Sequence, residues 1–97
     1  MKALALTNEM VNEVAKSVYG EGAIVTFLEE MEMDAVVVYD GDKINQIIEL
    51  EDALFDFGKV FNQLFTSYEA VDMGELGFGY AFTVERVSLP TTSRSCA

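Results

Sequence analysis

Asp40-Gly41-Asp42 stands between two runs that favour extended chain, the β-branched Ala35–Tyr39 and the alternating stretch through Ile44, Ile48 and Leu50. An Asp-Gly pair flanked by such runs is a strong hairpin signal, because Gly takes the positive φ that a tight turn between twisted strands requires. This feature commits the middle of the chain to antiparallel β-structure, with Ile44, Ile48 and Leu50 expected on one face. Upstream, 23–29 is apolar at both alternations, as in a strand covered on both faces. The turn that must fall within 30–34 has neither Gly nor Pro.

Helical periodicity appears on either side. Met10, Val11, Val14, Ala15 and Val18 share one face of a predicted helix from Asn8 to Tyr19, with Thr7 as its cap and Gly20 as its stop. Lys2 to Leu6 is either a short strand before it, the reading favoured here, or an extra turn of the helix. A second helix is predicted from a cap at Asp52 to about Thr66. Along it Ala53, Leu54, Phe57, Val60, Phe61, Leu64 and Phe65 form one apolar arc. On that register, Phe61→Ala should cost about 3–5 kcal/mol.

Gly74, Gly77 and Gly79 mark a loop, with a short strand allowed at 68–72 before it. A last strand is expected from Phe78 to Val87, with Phe78, Tyr80, Phe82 and Val84 on one face and Gly79, Ala81 and Thr83 on the other. Pro90 should end it. The reading is one α+β domain over residues 1–90, in the order β-α-β-β-β-α-β. Its two amphipathic helices pack on a largely antiparallel sheet, and residues 91–97 form a flexible tail.

A hydrophobic content of 51% rules out the composition of an intrinsically disordered chain. The chain has no His, which removes the usual neutral-pH acid–base group and any Ser-His or Cys-His pair. Its one Cys, Cys96, cannot form an internal disulfide. GELGFG lacks the spacing of a phosphate loop. Asp40, Asp42, Ile47 and Glu51 match four positions of a twelve-residue calcium loop. Ile44, however, replaces an oxygen ligand, and Asn45 stands where that loop needs Gly. No catalytic residue, cofactor or metal site is therefore expected. The apolar run near the N-terminus is too short for a signal peptide, and the expected location is the cytoplasm.

Charge carries the functional signal. Seventeen acids against six bases give a net charge of −11. Residues 21–56 hold eleven of the acids and only one base, Lys43, for a net −10. Repulsion disfavours direct binding to nucleic acid or to an anionic membrane, and neither is expected as a partner. An acidic surface keeps a small domain soluble, yet ordinary surfaces mix the two signs. Carboxylates on alternate strand residues lie about 7 Å apart, close to two phosphate rises along a DNA strand.

The candidate partner-binding residues are therefore Glu29, Glu30, Glu32 and Asp34, with Asp40 and Asp42 in the hairpin turn. Glu51, Asp52 and Asp56 join them from the second helix, together with Phe55, an aromatic set among charges and away from the apolar arc. In size and charge alone, the chain resembles the small acidic inhibitors made by bacteriophages and mobile elements, which include nucleic-acid mimics and anti-CRISPR proteins. Those proteins share no common signature, so no residue roles carry over. The resemblance implies a protein partner, specifically a basic nucleic-acid-binding protein. The alternative is an assembly domain forming a homodimer or larger homo-oligomer through Gly79, Ala81 and Thr83 or an unpaired strand edge, with the acids serving solubility.

Overall fold

Antiparallel pairing organises the chain into two three-stranded sheets, each touched by both helices, in a computed structural model that describes residues 2–85. The elements are β1 (Lys2–Thr7), α1 (Asn8–Tyr19), β2 (Ala23–Leu28), β3 (Met33–Asp40), β4 (Lys43–Glu49), α2 (Leu50–Val60), β5 (Leu64–Asp72) and β6 (Phe78–Glu85), with a 3₁₀ turn at Gly74–Leu76. The first sheet has the order β1-β6-β5 and the second β2-β3-β4. The chain is thus α+β with the expected element order. The optional strand before the glycine loop is a full nine-residue member of the first sheet, and the strands divide into two sheets instead of one. The expected strand end at Val87, the stop at Pro90, Cys96 and the 91–97 tail lie outside the described residues.

The α1 boundaries follow from their caps. Thr7 Oγ1 accepts from the Met10 N–H at 3.1 Å, and the Gly20 N–H donates to the Lys16 carbonyl at 2.9 Å. Val11, Val14 and Ala15 are buried as their periodicity requires, whereas Met10, expected with them, is exposed. This helix also closes the open edge of β2. Asn12 Oδ1 accepts from the Val25 N–H at 2.6 Å, and Lys16 Nζ donates to the Ala23 carbonyl at 3.2 Å. Two backbone groups that would otherwise present a pairing edge are thereby satisfied.

The second helix departs from its expected span at both ends. It begins at Leu50, with Glu49 at the cap position and no side-chain capping bond, so Asp52 lies inside the first turn. It stops at Val60, about six residues early. Asn62 takes a left-handed φ of 57°, and the Gln63 N–H turns back to the Gly58 carbonyl at 2.9 Å. The close return needs glycine, because a Cβ at position 58 would overlap the Gln63 carbonyl oxygen. Leu64 and Phe65 are thus strand residues. Phe65 still reaches the core, stacked on Phe82 with centroids 4.8 Å apart.

One core joins all the layers. Fully buried Phe57 and Phe82 lie 6.2 Å apart, surrounded by Leu50, Val11, Val36 and Ala53. Phe61 is only partly buried at the rim of this cluster.

In β4 a register shift opposite Val38/Tyr39 pairs Ile44 with Tyr39 while Gln46 pairs with Val38, leaving Asn45 as the extra residue. Ile44 is thereby moved to the opposite face from Ile48. The expected single face of Ile44, Ile48 and Leu50 is broken, and Leu50 belongs to α2.

Candidate functional acidic hollow

Where the β2–β3 turn meets the start of α2, carboxylates far apart in sequence converge. The register pairs Ala35 with Glu49, so Glu32 and Asp34 lie beside Glu49 and Glu51 at one end of the second sheet. These four acids line an open hollow of about 340 Å³ together with Phe27, Met33 and Tyr68. Glu32 holds its place at some cost. It adopts φ 51° at the close of two successive turns, a conformation that glycine takes with less strain.

The acids around the hollow play different parts. Asp34 is partly buried and accepts two phenolic hydroxyls from the other sheet, Tyr80 Oη to Oδ1 at 3.0 Å and Tyr68 Oη to Oδ2 at 3.2 Å. Burial pushes the Tyr68 phenol up to about 12. Asp34 adds to the shift by its charge and hydrogen bond, and the charges of Glu51 and Glu49 add to it further. Burial likewise raises the Tyr80 phenol, again with help from Asp34. The negative field of the hollow thus falls on a group that lines it. Glu29, Glu30, Glu32, Glu51 and Asp52 are exposed around this end.

The structure separates the other candidates. Asp40 and Asp42 are exposed at the far end of the β3–β4 hairpin, about 20 Å of extended strand from Asp34. Asp56 faces α1, where it accepts the Tyr19 hydroxyl at 3.1 Å; burial foremost, then this bond, raises that phenol to about 12. Phe55 is 60% exposed on α2, with Lys59 Nζ 5.4 Å from its ring centroid. Sequence reasoning missed Glu49 as a site residue, because in strand alternation it reads as an ordinary solvated position. Gly79, Ala81 and Thr83 form the middle row on the outer face of the first sheet, flanked by Thr7, Ala5 and Ala3 on one side and by Val71, Glu69 and Ser67 on the other.

Among the described residues, no group of three or more His, Cys, Asp or Glu side chains is placed to hold a metal ion. No helix among the described residues is long and apolar enough to cross a membrane. The chain matches no protein-family model, no curated protein and no solved structure.

Proposed function

We propose that this is a non-enzymatic inhibitor-like binding protein whose acidic end occupies a basic, nucleic-acid-binding surface of another protein. The hollow carries the reading: Glu32, Asp34, Glu49 and Glu51, drawn from a turn, two strands and a helix, line one hollow with Phe27, Met33 and Tyr68. A Lys or Arg side chain placed there meets carboxylates for its charge and Phe27 or Tyr68 for its stem. Four acids on one side with no Lys or Arg among the lining residues repel one another, and a basic partner relieves that repulsion. The small acidic inhibitors of bacteriophages and mobile elements act in this way, and this chain has their size and charge.

The test is capture from bacterial lysate on immobilised protein, with elution in NaCl steps. One nucleic-acid-binding protein should be retained and then released before about 1 M salt, where the screening length falls to about 3 Å. A variant carrying Glu29→Lys, Glu30→Lys, Glu32→Lys and Glu51→Lys should fold and retain nothing. Retention unaffected by those four reversals would overturn the reading.

A further inference from the structure

The sequence of β2 is apolar at both alternations, the mark of a strand covered on both faces, yet only one face of its sheet meets the core. Ala23, Val25, Val36 and Val38 turn inward to the helices. The opposite face carries a cross-strand row of Ile24, Val37 and Ile47, continued by Tyr39 and Ile44. Val37 is 1% exposed and yet is not part of the core cluster, whereas Ile24 and Ile47 flank it at 41% and 40% exposure. The bulge at Asn45 enlarges this face, since it is what turns Ile44 outward.

We infer that this outer face of the β2-β3-β4 sheet is the apolar centre of the interface, and that its occupant is a protein surface with an apolar middle bordered by Lys and Arg. The inference rests on the proposed function and extends it by placing the contact. The charge of its borders chooses this occupant over a second copy of the chain. Acids border both ends of the face, Glu29, Glu30 and Glu32 at one turn and Asp40 and Asp42 at the other, with Lys43 the single base in the 21–56 stretch. Two copies face to face would oppose these rims. Area shows that the apolar row alone is too small for either occupant. Three strands of this length present about 300 Å², well below the roughly 800 Å² per partner of a stable interface. The apolar row therefore needs its charged rim to complete a contact, and only a basic rim is complementary. The β2 edge is already occupied by Asn12 and Lys16, so approach on that side is to the face and not by strand addition.

Methyl-labelled protein titrated with a 14-residue amphipathic Leu/Lys peptide, an explicit stand-in for such a surface, tests this. The expected result is shifts of the Ile24, Ile44 and Ile47 methyl resonances, and at least tenfold weaker binding for the Ile24→Asn/Ile47→Asn double variant at every salt concentration. Circular dichroism and a melt establish that the variant is folded; if it is not, Ile44→Asn alone, at the periphery of the row, takes its place. A Lys-only peptide of equal charge should bind more weakly and leave these methyls unmoved. Full binding by the Ile variants, with loss only on reversal of the rim acids, overturns the apolar centre and leaves the acidic reading standing. Loss in the Ile variants without effect of the rim acids refutes the acidic reading instead. A dimer that strengthens from 0.1 to 1 M NaCl and is broken by the Ile variants assigns the face to a second copy and overturns the proposal, as does failure of the amphipathic peptide to bind.

Discussion

Tyr80 of β6 donates its hydroxyl to Asp34 of β3 at 3.0 Å, so a carboxylate of one sheet anchors a tyrosine of the other. Tyr68 of β5 completes the tie from the same side. An acid that reads in sequence as one more negative charge thus holds the two sheets in register with each other. Asp34→Ala leaves two partly or largely buried hydroxyls without their acceptor. It should lower stability by about 1–3 kcal/mol in urea unfolding, whereas Glu32→Ala should not. For this reason Asp34 is kept out of the charge-reversal variant.

Alkaline pH should loosen the fold in a defined window. The Tyr68 and Tyr19 phenols are raised to about 12 from an unfolded value of 10. A raised folded value means that the unfolded chain loses these protons first. The stabilisation from the neutral phenols is complete below pH 10 and disappears as pH rises through about 12. Melting temperatures should therefore fall across pH 10–12. Asp34→Asn should bring the Tyr68 titration, followed by ultraviolet absorbance, back towards 10.

Gly58→Ala should destabilise the protein against helix propensity. In an exposed helix interior the exchange gains about 1 kcal/mol. Here the added methyl meets the Gln63 carbonyl, and overpacking of this kind costs about 1–3 kcal/mol. A lower melting temperature is expected, and an unchanged or higher one would show that the α2–β5 return is not held against residue 58.

The core ranks its phenylalanines. Phe57→Ala and Phe82→Ala, both at fully buried positions, should each cost about 3–5 kcal/mol. Phe61→Ala should cost clearly less than the value its place on a continuous helical arc implies, because Phe61 lies past the end of α2 and is only partly buried. Chemical denaturation of the three variants in parallel gives the order.

Phe55→Ala should leave the melting temperature nearly unchanged, since the ring is 60% exposed and has the Lys59 ammonium over it, 5.4 Å from its centroid. Partner binding should weaken tenfold or more if Phe55 anchors the acidic end, and surface plasmon resonance against the captured partner would read it.

The sequence by itself determined the local events. Thr7 and Gly20 bound α1 because capping is chemistry between near neighbours, and Asp40-Gly41-Asp42 makes the hairpin because a two-strand turn needs little else. The acidic excess between residues 21 and 56 is a property of composition and needed no fold. Tertiary structure decided what depends on contacts across the chain. The 3.6-residue arc through Phe61, Leu64 and Phe65 continues past the true helix end, because only the return of Gln63 against Gly58 shows where the chain turns. The bulge at Asn45 moves Ile44 to the open face by register with Tyr39, a choice that β3 makes and β4 alone cannot. Asp34 and Asp56 differ from their acidic neighbours solely because tyrosines from other elements reach them. Asp40 and Asp42 are parted from the hollow for an equally non-local reason: an antiparallel hairpin puts its turn at the far end from its partners' termini.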